Sequence, residues 1–143
     1  MNTETLADAP NATASNLTST LVPLVGRGMI SAIFLLSGLS KIAAPAMTIG
    51  YIQSVGLPMP SVAFGLSVFV ELAGGLALLL GYRTRAVAAV LALFSLVTAA
   101  VFHNALGDQN QFIHFFKNIA MAGGLLHVVA FGGGRISLDA RRG

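Results

Sequence analysis

Four stretches, each about twenty residues long and mostly apolar, constrain this chain more than any other feature: residues 21–44, 61–80, 86–103 and 112–131. Helical rise is roughly 1.5 Å per residue and the hydrocarbon layer of a bilayer roughly 30 Å thick, so each stretch can cross as one helix. Only the third is free of Lys, Arg, Asp and Glu; the others hold one or two, each in apolar surroundings. Turn-forming clusters separate them: GLPMP at 56–60, GYRTR at 81–85, GDQN at 107–110, with GGG at 132–134 after the last. Charged residues make up 9% of the chain, against about 25% in ordinary soluble domains. Eight basic and five acidic side chains are too few to coat a globule in water, which argues against a soluble enzyme. The solvent is lipid, and the fold expected is an all-α integral membrane four-helix bundle.

The net charge of +3 does not point to nucleic acid, because no basic run of five occurs and two Tyr with no Trp make no stacking platform. With no cysteine, disulfides, thiolate nucleophiles and iron–sulfur ligation by this chain are excluded. Lys and Arg placement predicts orientation. With the N-terminus inside, the inner side holds Arg27, Arg83, Arg85, Arg135, Arg141 and Arg142, and the outer ends hold Lys41 and Lys117. That distribution favours N-in and C-in, in a multi-pass protein of the cytoplasmic (inner) membrane whose first partners are lipids.

Residues 1–20 lack Lys, Arg and an apolar core, so they read as a disordered inner tail rather than a secretory signal. Residues 21–135 form the membrane domain and 136–143 a second inner tail. The half-apolar residues 45–60 are expected to lie along the outer interface as a short amphipathic piece. Pro60 suits the first turn of the second span, where its missing N–H costs nothing.

The informative residues are those that lipid rejects. Glu71 lies about 15 Å into the second span, close to the midplane, where a lone carboxylate costs several kcal/mol. Cβ bonds tilt towards a helix's N-terminus. Glu71, on a helix that starts outside, therefore leans outward, and Lys41, on a helix that starts inside, leans in. The two meet at about 10 Å depth, whereas Lys117 leans the other way and reaches the outer rim. Helical spacing puts Arg27, Ser31, Phe34, Gly38 and Lys41 on one face of the first span, and Ser67, Glu71, Gly74 and Gly75 on one face of the second. Ser95, Ala99 and His103 do the same on the third span, and His114, Lys117, Asn118 and Met121 on the fourth. These stripes are expected to converge on one polar cavity in the outer half of the bundle. Glu71 and Lys41 are its candidate catalytic pair, and Lys117, Asn118, His103 and His114 join them as candidate ligand contacts.

Each of these residues also has a plainer reading. A buried Glu–Lys pair can serve only to fix which helices are neighbours. Arg27 reads as an anchor snorkelling to the inner interface. His103 and His114 share a depth that a haem or metal would use, but no HExxH or CxxCH accompanies them, and no metal site is assigned. The GGG at 132–134 lacks the strand and helix context of a phosphate loop.

With those residues placed, the sequence resembles the DoxX family of small four-span bacterial membrane proteins, over about residues 24–142. The likeness rests on Arg27–Gly28 and Gly38–Lys41 in the first span, and on Glu71, Gly74–Gly75 and Gly81 to Arg85 around the second. It continues with Lys117–Asn118, Gly123–Gly124 and the Gly134–Asp139 finish. The resemblance implies an association with membrane oxidoreductase systems. Some relatives are a small subunit of a thiosulfate:quinone oxidoreductase, and others are partners of enzymes dealing with thiol and oxidative stress. It implies no intrinsic cofactor, a quinone as the candidate ligand, and a partner oxidoreductase chain that performs any sulfur chemistry. Two other functions compete: a non-catalytic scaffold for another enzyme, and a small transporter, disfavoured by four spans without inverted repeats.

Overall fold

The structure, a computed structural model, describes residues 9–142, with side-chain surroundings from residue 16 onward. Five helices account for most of it: α1 (Ala9–Ala43), α2 (Pro45–Ser54), α3 (Pro60–Leu80), α4 (Thr84–Phe102) and α5 (Gln109–Phe131). A single 3-10 turn, Asp139–Arg141, follows near the C-terminus. Four helical segments are long and apolar enough to cross a membrane: Asn16–Ala43, Pro60–Leu80, Thr84–Phe102 and Gln109–Phe131.

Burial runs opposite to that of a water-soluble protein. Leu36 is 68% exposed and Phe69 69%, while Arg27 is 2% and Glu71 4% exposed, with Ser31, Ser95 and Asn118 also inside. Lipid solvates the outward Leu and Phe side chains, and the polar groups that lipid rejects are gathered between helices. The apolar core, built from Phe34, Leu78, Leu91, Ala92 and Leu125, is correspondingly small. Two helix pairs pack most intimately, α1 with α3 and α4 with α5. The first depends on Gly38, where an added Cβ would stand 2.7 Å from Leu72 Cδ2 and 3.3 Å from Glu71 Cβ. Close backbone approach of this kind lets dispersion hold helices together where lipid removes the hydrophobic drive.

Helix boundaries follow local chemistry. Pro60 opens α3, as expected of its position, and Met59 before it takes the left-handed conformation. α5 begins at Gln109, earlier than the apolar pattern suggests, because the Asp108 carboxylate accepts the Gln111 N–H at 2.9 Å and caps the first turn. α4 begins at Thr84 rather than at residue 86, and its cap comes from far away. Asp139 accepts from the backbone N–H groups of Arg83 and Thr84, both at 2.7 Å, and from Thr84 Oγ1 at 2.6 Å.

That contact belongs to a clamp at the Arg27 end of the bundle which corrects three expectations. Arg27 does not snorkel: its guanidinium is buried and donates to the carbonyls of Leu79 and Ile136, each at 3.0 Å, and of Gly133. It thereby satisfies a carbonyl in the last turn of α3, where no helical partner remains. Residues 136–142 are not a loose tail. The N–H groups of Leu138 and Asp139 bond to Leu80 O and Gly81 O at 3.1 and 2.9 Å, and Ser137 is buried. Gly81, at φ +71, lies so close to Ser137 that a Cβ would collide with it. Residues 9–20, expected to be disordered, extend α1 as helix, and Asn16 Oδ1 accepts from Arg135 at 3.3 Å. Residues 1–8 of the expected tail lie outside the described residues. The amphipathic piece expected within 45–60 forms as α2, in contact with α1 and α3.

Candidate functional site

At the Lys41 end of the bundle, α1 to α5 enclose a cavity of about 390 Å³. Its body is apolar, with Ile33, Leu66, Val70, Phe94 and Val97 in the wall. Its polar groups come from every helix: Lys41 from α1, Tyr51 from α2, Glu71 from α3, Thr98 from α4, and Lys117 with Asn118 from α5.

The Lys41 ammonium donates to both oxygens of Glu71 at 2.7 Å and contacts Ser37 Oγ at 2.8 Å, and Ser37 in turn donates to Glu71 Oε1 at 3.0 Å. Ser37 and Lys41 are one helical turn apart on α1, so they present a joined donor pair to α3. The opposed Cβ tilts of antiparallel helices bring the two side chains to one level, as the spacing indicates. Inside hydrocarbon, an ion pair with each carboxylate oxygen engaged is the arrangement that keeps both charges tolerable. Ser37 was not among the expected contacts, although its place four residues before Lys41 was the available signal.

α2 roofs this end. Its Ile52 is buried against the cavity, and the Tyr51 hydroxyl donates to Phe102 O at 2.9 Å, at the last turn of α4. The two rings also touch, with centroids 5.7 Å apart. Tyr51 therefore fastens α2 to the end of α4 by one bond and one ring contact. Nothing in the local pattern of 45–60 marked it.

His103 and His114 do come together, but as stacked rings 5.1 Å apart rather than as converging ligands. His103 Nδ1 meets Gln111 Oε1 at 2.9 Å, and His114 Nδ1 meets Lys117 Nζ at 2.9 Å. Because an ammonium only donates, His114 Nδ1 accepts and its ring proton sits on Nε2. Among the described residues, no three His, Asp or Glu side chains group as a metal site would need. Lys117 is exposed beside this stack, in keeping with a rim position, while also lining the cavity. Asn118 is nearly buried and donates to His114 O at 2.9 Å.

Convergence of the four polar stripes is thus partial. Phe34, Lys41, Ser67, Glu71, His103 and the α5 group of Lys117, Asn118 and Met121 reach the cavity. Ser95 turns back to Leu91 O at 2.9 Å. Arg27 belongs to the opposite end, and Ser31, Ala99 and His114 lie outside the lining.

Comparison with known proteins agrees with this architecture. The model of the DoxX family matches residues 22–104, from α1 through the end of α4. Inner membrane protein YqjF of Escherichia coli (strain K12) is 34% identical over 116 residues, covering 81% of this chain and 88% of that protein. Inner membrane protein YphA of the same organism is 33% identical over 123 residues, covering 82% and 88%. No solved structure matches.

Proposed function

The chain belongs to the DoxX family, and from that membership we propose that it is the membrane subunit of an oxidoreductase system, holding a quinone in the cavity at the Lys41 end. It is an inner-membrane protein, like the two relatives it matches along most of its length. The termini face the cytoplasm, the sense in which the positive-inside rule distributes Arg27, Arg83, Arg85, Arg135, Arg141 and Arg142. The cavity then opens into the outer half of the bilayer.

A single observation carries this reading: an apolar space of about 390 Å³ within the membrane domain has its polar groups drawn from all five helices. Small-molecule sites have this composition, mostly apolar walls with a few placed polar groups. A quinone carries two electrons and two protons through a membrane. Its ring and isoprenoid suit walls of Val70, Phe94 and Met121, and its carbonyls suit donors such as Lys117. In this reading the redox chemistry belongs to a partner chain, and any sulfur chemistry does too, because this chain has no cysteine. Glu71 and Lys41 neutralise each other within the cavity wall.

The test is saturation binding of a short-chain quinone to the purified chain in lipid nanodiscs. Saturable binding supports the reading, and partitioning no different from empty nanodiscs rejects it. A second reading is a scaffold that positions a partner enzyme. It is favoured by the Lys41–Glu71–Ser37 contacts, which use all three ammonium donors of Lys41 and engage both oxygens of Glu71. It predicts that a partner co-purifies whether or not quinone is present.

A further inference from the structure

Three ionisable side chains apart from His103 and Tyr51 line the cavity: Lys41, Glu71 and Lys117. The first two neutralise each other at 2.7 Å, and both oxygens of Glu71 are taken. Lys117 has no carboxylate within ion-pair distance among the described residues, where the one ion pair is Lys41–Glu71. Its described hydrogen bond runs to His114 Nδ1. An ammonium carries three N–H donors, so two remain. His103, which also lines the cavity, turns Nδ1 to Gln111 Oε1.

We infer, resting on the cavity being a ligand site, that Lys117 reads the head of the ligand, and that the head presents an acceptor oxygen able to carry negative charge. The polar end holds one cation more than its anions, facing walls of low polarity. There a charge-assisted hydrogen bond is about twice as strong as one between neutral groups, and the favourable complement is an oxygen acceptor. His114 orients the ammonium from behind, and the His103 ring stacked on it holds His114 in place. Lys41 cannot take this role, because its donors are directed at Glu71 and Ser37. A quinone carbonyl and a fatty-acid carboxylate both offer such an oxygen at the end of an apolar body.

Three probes with tails of nine or ten carbons separate these cases: decylubiquinone, decanoate and decylbenzene, which has no oxygen. Each is titrated against the full chain in nanodiscs, as wild type, Lys117→Met and Lys117→Arg. Lys117→Met, which keeps an unbranched apolar stem and removes the ammonium, is expected to weaken the oxygen-bearing ligand about tenfold and leave decylbenzene unchanged. Lys117→Arg is expected to stay within about threefold of wild type, because the charge and donors remain. An unchanged affinity for oxygen-bearing probes in Lys117→Met overturns the inference, as does a wild type that prefers neither of them to decylbenzene. Lys117-dependent binding of decanoate without any binding of the quinone upholds the role of Lys117 and overturns the quinone reading alone. An unaltered thermal midpoint shows that Lys117→Met remains folded.

Discussion

Lys41 and Glu71, thirty residues apart in sequence, meet with the ammonium 2.7 Å from each oxygen of the carboxylate, so one contact joins α1 to α3 inside the membrane domain. Removing one member strands the other in a medium that cannot hydrate it. Glu71→Leu is expected to destabilise the chain by about 3 kcal/mol. The Lys41→Leu/Glu71→Leu double variant should recover most of that loss. Thermal unfolding in a mild detergent measures both, and the recovery isolates the pairwise term.

The Arg27 clamp gives a prediction at the opposite end. Arg27→Met leaves three carbonyls, of Leu79, Gly133 and Ile136, without their donor. A hydrogen bond to a charged group contributes about 1.5–3 kcal/mol, and the three act on one segment. The C-terminal residues should detach before the bundle unfolds. Limited trypsin digestion should then cut after Arg135 in the variant under conditions where wild type is intact.

Gly81 holds a left-handed backbone against Ser137. Gly81→Ala combines a conformational cost of about 1–2 kcal/mol with a collision against a neighbouring backbone. A lowered thermal midpoint is expected, together with the same tryptic sensitivity after Arg135. Alanine at Gly107, where nothing lies nearby, should leave both unchanged.

Asp139 ties the C-terminal segment to α4 and supplies a pH dependence. Its hydrogen bonds with the Thr84 hydroxyl and backbone, and then with the Arg83 N–H, hold its carboxyl below the usual value of 3.8. A carboxylate whose value falls on folding stabilises the fold fully above its unfolded value, and the contribution disappears as pH drops through the folded one. The Arg83 and Thr84 amide resonances should therefore hold steady down through pH 3.8 and shift only below it. In Asp139→Asn the transition should be absent.

Much of this was legible from the chain alone, and the reason is physical. Length and apolarity determine a membrane span without reference to anything else, and Cβ tilt is a local property, so the meeting of Lys41 with Glu71 follows from two helices and their directions. The burial of Arg27 is not legible in the sequence, because its partners are backbone carbonyls of Leu79, Gly133 and Ile136, which have no side-chain signature. Asp139 was missed because the helix it caps begins 55 residues earlier, and capping patterns in sequence report only neighbours. The turn-forming cluster at 107–110 includes the start of a helix, since Asp108 and Gln109 are the cap and first residue of α5. Tyr51 was invisible because its acceptor, Phe102 O, is again main chain.

For a quinone held in the cavity, α2 is the expected point of entry, because Tyr51 and Ile52 line that end. Tyr51→Phe removes the hydroxyl bonded to Phe102 O and leaves the ring contact. About 1 kcal/mol is lost, so quinone association and dissociation should both accelerate by roughly fivefold with little change in affinity. Stopped-flow binding in nanodiscs resolves the two rates. Faster hydrogen exchange confined to residues 45–54 would accompany them.

The most direct measurement is photolabelling of the full chain in nanodiscs with an azido-quinone, mapped by peptide mass spectrometry with and without excess unlabelled quinone. Competed label on Ile33, Phe34, Ser37 and Lys41 of α1 and on Lys117, Asn118 and Met121 of α5, which border the cavity, is the predicted result. Label that excess quinone does not remove, or that falls only on outward residues such as Leu36, Leu93 and Phe131, would contradict a quinone site within the bundle.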